Sequence, residues 1–236
     1  MKKRILIFST AYLPLVGGAE VAVKEITDRL SDFEFVMITA RLSNDLPSYE
    51  KVGNVEVYRL GKGNNFDKCR LVFYGWKKAH ELGKFDTVWS IMASYAGFAA
   101  LKFKKRNPSV PFLLTLQEGD SRFDIYKHVW WCWPYFKQIF KRADKIQAIS
   151  SYLAKWAKDL GAICPIEIVP NGVDVRKFQS SLSSQTGIWD PVVRLRKEFG
   201  IENNDKIIIT ASRLVKKNGV GDLIKSFKFL NDDTHL

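Results

Sequence analysis

Two adjacent glycines, Gly17 and Gly18, separate an apolar run at residues 4–9 from an amphipathic segment at residues 19–30. Because glycine has no side chain, a ligand can approach its bare backbone. If residues 19–30 form a helix, its free N–H groups and the positive end of its dipole favour an anion here, most often a phosphate. The alternative is a tight strand-to-helix connection without a ligand. The spacing excludes a dinucleotide fingerprint, which needs GxGxxG.

A second polar loop follows the apolar run at residues 112–116 and contains Gln117, Glu118, Gly119 and Asp120. Carboxylates can accept and donate protons, and a glutamine amide can both donate and accept hydrogen bonds. If both apolar runs are parallel strands, their carboxyl ends meet at one edge of the sheet, where ligands bind. We therefore expect the glycine pair and this loop to share one rim. The alternative is a polar loop in which Gly119 makes the turn.

Strands alternating with helices are predicted to position these loops. Strands are expected at residues 4–9, 33–39, around 55–58, 87–91, 112–116, 145–149 and 166–169. Helices are expected at residues 19–30, 66–82, 93–105, 124–142 and 152–160, the last capped by Ser150 or Ser151. Pro134 is expected to kink the long helix. This alternation predicts an α/β fold: a Rossmann-like parallel sheet with helices on both faces.

A turn signal at Pro170-Asn171-Gly172 marks a domain boundary. The pattern then restarts after a polar stretch at 180–186 and an amphipathic helix at about 190–199, with a strand at 206–211 and a helix at 219–230. We predict a first domain at 1–170, a linker and lead-in at 171–205, and the start of a second Rossmann-like domain at 206–236. A lone strand–helix unit cannot bury its own apolar face, so the second domain is expected to be truncated.

Composition limits the classes of function. The three cysteines are widely spaced and form no CxxC pair, which argues against a zinc site or a disulfide framework and fits a reduced, cytoplasmic setting. No signal peptide and no apolar run long enough to span a bilayer are evident. The net charge of +12 indicates an anionic partner, or merely a basic surface. The basic residues are scattered without a recognition-helix signature, so nucleic acid is not expected.

Three segments in order carry a resemblance to a known family: Pro14-Leu15-Val16-Gly17-Gly18-Ala19-Glu20, Ile168-Val169-Pro170-Asn171-Gly172-Val173-Asp174, and Ala211-Ser212-Arg213-Leu214-Val215-Lys216-Lys217-Asn218-Gly219. The chain resembles the retaining nucleotide-sugar glycosyltransferases of family 4, which have two facing Rossmann-like domains (the GT-B arrangement). The resemblance spans nearly the whole chain but only about the first half of a full-length member. It implies transfer of a sugar from a nucleotide-sugar donor to a hydroxyl of a glycan or lipid-linked acceptor.

The resemblance also implies roles for residues. The Gly17–Gly18 loop would lie over the donor phosphates, and an arginine and a lysine after the second-domain strand would stabilise the nucleoside diphosphate as it leaves. Arg213 matches that arginine. The usual lysine falls on Asn218, so Lys217 is expected to replace it, the alternative being a solvated basic loop.

Gln117 stands where many members have a histidine that contacts the transferred sugar. Glutamine cannot act as a general base, but it can bond sugar hydroxyls or offer its carbonyl to positive charge at the anomeric carbon. In the family the leaving phosphate is thought to deprotonate the acceptor, so no enzyme nucleophile is required. Glu118 and Asp120 are alternative acid–base candidates. The family implies neither a metal nor a cofactor besides the donor.

The sequence also contains residues that could contact a membrane surface. Val129, Trp133, Phe136 and Phe140 form an apolar stripe joined by Trp130 and Trp131, which either packs in the core or meets a membrane. A basic helix end carries Lys104, Lys105 and Arg106, which would attract anionic lipid. The expected location is therefore cytoplasmic, with a peripheral contact at the inner face of the membrane as an open alternative.

Two other functions remain to be distinguished. A non-catalytic basic module that docks on membranes is the main alternative. A sugar-nucleotide epimerase or dehydrogenase would need the glycine fingerprint that is missing. Because the later donor-binding segment of the family, with its paired glutamates, does not occur in these 236 residues, we expect this chain alone to be inactive and to bind nucleotide sugars weakly.

Overall fold

The structure is a computed structural model that describes residues 2–176, 196–202, 205–212, 214–215, 218–229 and 234–235. It divides the chain into two compact units, Met1–Gly172 and Val173–Leu236. Arg213, Lys217, the polar stretch at 180–186 and residues 190–195 of the predicted lead-in helix lie outside the described residues.

The first unit is built on an eight-stranded sheet. Its strands are β1 (Lys3–Phe8), β2 (Phe33–Ala40), β3 (Tyr49–Val52), β4 (Val55–Leu60), β5 (Thr87–Ile91), β6 (Phe112–Leu116), β7 (Lys145–Ala148) and β8 (Ile166–Ile168). Their order is β3-β4-β2-β1-β5-β6-β7-β8. All neighbouring pairs are parallel except β3 with β4. The predicted α/β fold with a parallel sheet is confirmed.

Six α-helices connect these strands. They are α1 (Gly18–Arg29), α2 (Asp67–Glu81), α3 (Tyr95–Arg106), α4 (Arg122–Val129), α5 (Trp133–Arg142) and α6 (Ser151–Asp159). Ser150 caps α6 by accepting a hydrogen bond from the backbone N–H of Leu153. This selects Ser150 over Ser151, which is the first helical residue.

Alternate residues of the strands face two cores. Leu6 and Phe8 of β1 belong to the larger core, which also contains buried residues of α2, α3, α5 and α6. Ile7 points to the opposite face and packs in a smaller core with Ala19 and Val23 of α1. Helices therefore cover both faces, as the near-continuous apolar runs of the strands predict.

Two predicted features of this unit are wrong. The single helix at 124–142 is instead α4, a 3-10 turn at Trp130–Cys132, and α5. Pro134 lies in the first turn of α5, where its missing N–H costs nothing, but it could not continue a helix from α4. The antiparallel strand β3 was not predicted. Its connection to β4 is the two-residue turn Gly53-Asn54, and Gly53 has φ of +57°.

The second unit contains two short strands, β9 (Lys206–Ile207) and β10 (Thr234–His235), which pair in parallel. A helix, α7 (Val220–Ser226), continues into a 3-10 turn at Phe227–Phe229. The predicted strand at 206–211 is shorter than expected because its described ladder to β10 has only two residue pairs. The predicted helix at 219–230 is present, with its last turn tightened.

Candidate functional site

The carboxyl edge of the sheet contains the point at which the strand order reverses. The chain moves from β1 outwards to β2 and β4, then returns to β5 and continues to β8 on the other side. The loops after β1 and β5 therefore leave in opposite directions, and a crevice at such a point is where open α/β sheets bind ligands. A hydrogen bond of 3.0 Å joins the two loops, between the hydroxyls of Thr10 and Ser94.

Gly17 and Gly18 lie at this edge, at the start of α1. Gly17 is the N-cap residue in extended conformation, with φ of −141°, and no side chain caps the helix. A Cβ atom at Gly18 would meet open space. The backbone of Gly18 is therefore open on the side that a side chain would occupy, whereas the Glu20 carboxylate occupies that side of Gly17. An anion at this turn would approach from the Gly18 side.

Arg59 holds the loop that leads to these glycines. It is a buried residue of β4 whose guanidinium forms an ion pair with Glu50. Its Nη2 donates to the carbonyl oxygen of Leu13 at 2.6 Å, and its Nη1 donates to that of Pro47 at 3.3 Å. Sequence reasoning missed this residue. The available signal was an arginine inside an apolar strand, because an arginine is rarely buried unless its charge has partners.

Glu118 links the loops after β5 and β6. Its Oε1 accepts a hydrogen bond of 2.6 Å from the backbone N–H of Ala93, whereas its Oε2 is buried and has no hydrogen-bond partner. The pKa of this carboxyl is raised to about 7, and burial is the largest cause. The backbone N–H donors, that of Ala93 first, act to lower this pKa, and the negative charge of Asp120 acts to raise it. A carboxyl with such a pKa can accept or release a proton near neutral pH.

Met92 gives the Ala93 N–H its position. It is the only non-glycine residue with positive φ, at +68°, in the part of the chain that the structure describes. Its N–H donates to the carbonyl of Thr115 at 2.8 Å, and its carbonyl accepts from the hydroxyl of Ser90 at 3.1 Å. Strained backbone of this kind is concentrated at functional sites. No sequence signal marked this position.

Gln117 and Asp120 complete the loop after β6. The Gln117 Oε1 accepts a hydrogen bond of 3.3 Å from the side-chain amide of Asn171, which follows β8. This contact orients the Gln117 amide and leaves its nitrogen to donate. Asp120 is exposed, as is Gly119. Three hydrogen bonds thus connect neighbouring loops along one edge of the sheet. They join the loop after β1 to the loop after β5, that loop to the loop after β6, and the loop after β6 to the segment after β8.

The three residues of the basic helix end differ in role. Lys104 is not a free surface cation, because only 11% of its side chain is exposed and it forms a 2.7 Å ion pair with Asp144. It also donates to the carbonyls of Pro108 and Val110. Lys105 and Arg106 are exposed. The expectation that Lys104 belongs to an open basic surface is therefore wrong.

The aromatic stripe divides between the core and the surface. Phe136 and Phe140 of α5 are fully buried, and Trp133 stacks on Phe136 with ring centroids 5.5 Å apart. Trp130 and Trp131, in the turn between α4 and α5, are 64% and 72% exposed. The core interpretation holds for α5, whereas the two tryptophans of the turn face solvent.

Among the described residues, no three His, Cys, Asp or Glu side chains are placed together to hold a metal ion. In the same part of the chain, no helix combines the length and the apolar character needed to cross a bilayer.

Comparisons with known proteins agree on one family. The model described as Glycosyltransferase Family 4 matches residues 16–177. The uncharacterized glycosyltransferase MJ1069 of Methanocaldococcus jannaschii is 26% identical, over 98% of this chain and 61% of its own length. The putative teichuronic acid biosynthesis glycosyltransferase TuaC of Bacillus subtilis is 24% identical, over 62% of this chain and 35% of its own length.

Solved structures show the same fold. Sucrose-phosphate synthase from Thermosynechococcus elongatus has a TM-score of 0.70 at 14% identity, over 97% of this chain and 60% of that one. Alr3699/HepE from Anabaena, in complex with UDP and glucose, has a TM-score of 0.66 at 16% identity, over 98% of this chain and 59% of that one. The chain thus spans about three fifths of MJ1069 and of these two structures.

Proposed function

Because this chain belongs to glycosyltransferase family 4, we propose that it acts in transferring a sugar from a nucleotide-sugar donor to a hydroxyl group, with retention at the anomeric carbon. The observation that carries the proposal is the arrangement at the carboxyl edge. A glycine pair opens α1, and a carboxyl with a raised pKa lies beside the point at which the strand order reverses.

The Gly17–Gly18 turn is proposed to bind donor phosphate. The open side of Gly18 and the dipole of the 12-residue helix α1 favour negative charge there. From the resemblance of their loop to that of the family, Arg213 and Lys217 are proposed to stabilise a leaving diphosphate, since charge grows on the leaving group as the glycosidic bond breaks. Both stay predictions, because they lie outside the described residues.

The proposed reaction breaks the bond between the anomeric carbon and the phosphate oxygen, and forms a bond from that carbon to the acceptor oxygen. The acceptor proton passes to the leaving phosphate. Gln117, oriented by Asn171, donates its amide hydrogen to a sugar hydroxyl. Glu118 is the alternative proton carrier, because its pKa of about 7 lets both of its forms be populated at neutral pH. Asp120 contributes its charge, which raises that pKa.

The choice of substrates draws support from the comparisons. HepE was solved with UDP and glucose, and a structure titled trehalose-6-phosphate from E. coli was bound with UDP-2-fluoro glucose. We therefore propose a uridine-diphosphate sugar as donor, with no additional cofactor. A glycan or lipid-linked saccharide is the proposed acceptor, and the name of TuaC favours polysaccharide biosynthesis.

Calorimetric titration with a panel of UDP-sugars tests the proposal. The 236-residue chain is expected to bind weakly, with Kd near 1 mM (roughly −4 kcal/mol), and to show no transfer by itself. Gly18→Val should abolish binding without loss of folding, since its side chain would occupy the open space beside the Gly18 backbone. Tight binding by the chain, or equal binding by the variant, would contradict this assignment.

A membrane surface is a further proposed partner, at the cytoplasmic side. Trp130 and Trp131 expose large aromatic area. Phe123 of the preceding helix α4 is also exposed and has the Lys127 ammonium 4.3 Å from its ring centroid. Tryptophan and lysine together are typical of interfacial helices. Flotation with vesicles containing phosphatidylserine should recover the chain but not a W130A/W131A variant. Recovery of both would remove this partner.

A further inference from the structure

An open cavity of about 490 Å³ lies on the first unit, between the β3–β4 hairpin and α2. Its walls include Tyr49, Tyr58, Tyr74, Lys77, Lys78 and Glu81. None of these residues belongs to the loops that carry Gly17–Gly18 or 117–120. Its volume falls in the range of about 300–1,000 Å³ that is typical of small-molecule sites.

The hairpin supplies one aromatic wall. Tyr49 and Tyr58 are directly opposite each other in the antiparallel ladder, and their ring centroids are 4.9 Å apart. Such cross-strand aromatic pairs hold both rings in place. Tyr49 remains 50% exposed, so part of its surface is available to a ligand.

The helix supplies the second wall and the charge. Tyr74, Lys77 and Lys78 share one face of α2 because their spacing is three and four residues. Tyr74 is 54% exposed, and the Lys77 ammonium lies 5.5 Å from its ring centroid. The Lys78 ammonium lies 5.4 Å from the ring of Tyr58. Two cations are thus held beside exposed aromatic surface.

Acidic groups neutralise only part of this charge. Glu81 pairs with Lys78 at 3.1 Å. Glu56 is near the hydroxyl of Tyr58, at 3.5 Å. Within the described ranges, no carboxylate forms an ion pair with Lys77. A ligand that stacks on Tyr74 would therefore find an ammonium group in place to meet its own negative charge.

We propose that this cavity binds a segment of an anionic saccharide, one that carries a carboxylate or a phosphate. The apolar face of a pyranose ring stacks on Tyr74 or Tyr49, and the anionic group meets Lys77. Preferring a saccharide to other ring-bearing anions rests on the proposed function. The cavity would hold a growing chain outside the loops that carry Gly17–Gly18 and 117–120.

Binding of defined oligosaccharides, measured without any nucleotide sugar, tests the proposal. The probes are a hyaluronan hexasaccharide, which bears uronates, neutral maltohexaose, and polyphosphate, which bears charge without sugar. The variants are Tyr74→Ala, Tyr74→Phe and Lys77→Ala. Lys155→Ala, which removes an exposed lysine of α6, is the control for net charge. All three substituted positions are at the surface, and circular dichroism verifies the fold of the four variants.

We expect Tyr74→Ala and Lys77→Ala to weaken hyaluronan binding about tenfold, whereas Tyr74→Phe and Lys155→Ala keep it within about twofold. Maltohexaose should bind more weakly than hyaluronan, and polyphosphate should be insensitive to Tyr74→Ala. The proposal is overturned if hyaluronan does not bind, if all variants bind it equally, or if Tyr74→Ala weakens polyphosphate as much. The UDP-sugar titration does not involve this cavity, so a failure of the proposed function would be distinguished from a failure of oligosaccharide binding.

Discussion

Replacing Glu118 with glutamine should stabilise the protein in a pH-dependent manner. The carboxyl has one oxygen bonded to the N–H of Ala93 and one buried oxygen without a partner. Glutamine preserves the acceptor and has nearly the same shape. It removes the ability to ionise and replaces one oxygen with an amide NH2. Because the amide does not titrate, the pH dependence of the difference isolates the cost of the buried negative charge.

The magnitude follows from the pKa, which rises from the ordinary value of 4.5 to about 7 on folding. Between these values the folded chain retains a proton that the unfolded chain has lost, so the free energy of unfolding decreases as pH increases. Each pKa unit corresponds to about 1.4 kcal/mol, which makes the total at most about 3 kcal/mol. Below pH 4.5 both states are protonated and the effect vanishes.

Urea unfolding monitored by tryptophan fluorescence is a suitable assay, since six of the seven tryptophans lie in the first unit. The stability of Glu118→Gln relative to the parent should rise by up to about 3 kcal/mol between pH 4.5 and pH 8. Glu34→Gln, which removes an exposed carboxylate paired with Arg4, is the control and should change the free energy of unfolding by less than about 1 kcal/mol throughout this range. A constant difference between the Glu118 variant and its parent from pH 4.5 to 8 would refute the reasoning.

Three further predictions concern stability. Asp67→Ala should lower the free energy of unfolding by about 3 kcal/mol, because this buried carboxylate accepts hydrogen bonds from the backbone N–H groups of residues 62–64. Burial alone would raise the pKa of Asp67, but these donors hold it below its ordinary value. The cost should therefore shrink below pH 4, which urea titrations at pH 3.5 and 7 would reveal. Phe136→Ala should cost about 4 kcal/mol, measured in the same way, because its ring is fully buried against four other aromatic rings; a loss below 1 kcal/mol would contradict that packing. Lys104→Ala should lower the thermal midpoint while Lys105→Ala should not, since only Lys104 is paired with Asp144; equal midpoints for both would contradict this difference.

Most helices and strands could be predicted from the sequence because their signals are local. The apolar runs at residues 87–91 and 112–116 match β5 and β6 residue for residue. The errors arose where a local signal was overlooked or had two meanings. The turn Gly53-Asn54 indicates a hairpin, and Pro134 suits both a kink and the first turn of a new helix.

The candidate site was only partly predictable. The sequence placed Gly17–Gly18 and 117–120 after strands, which is sufficient to assign them to one rim of a parallel sheet. It contained no information on burial, so the three candidates Gln117, Glu118 and Asp120 could not be ranked. Met92 was not recognised because a positive φ has no signature in residue type. Arg59 is marked by its residue type, an arginine within an apolar strand, but the carbonyl groups that it contacts cannot be read from the sequence.

Residue order by itself determined the alternation of elements, the fold class and the resemblance to family 4, because periodicity and short motifs are properties of neighbouring residues. Only the tertiary structure decided that the strand order reverses between β1 and β5, and that Lys104 is bound to Asp144. It alone decided that one oxygen of Glu118 is buried without a partner. The pKa of a carboxyl and the availability of a lysine depend on solvent exclusion and on charges brought together from distant parts of the chain, which residue order alone does not encode.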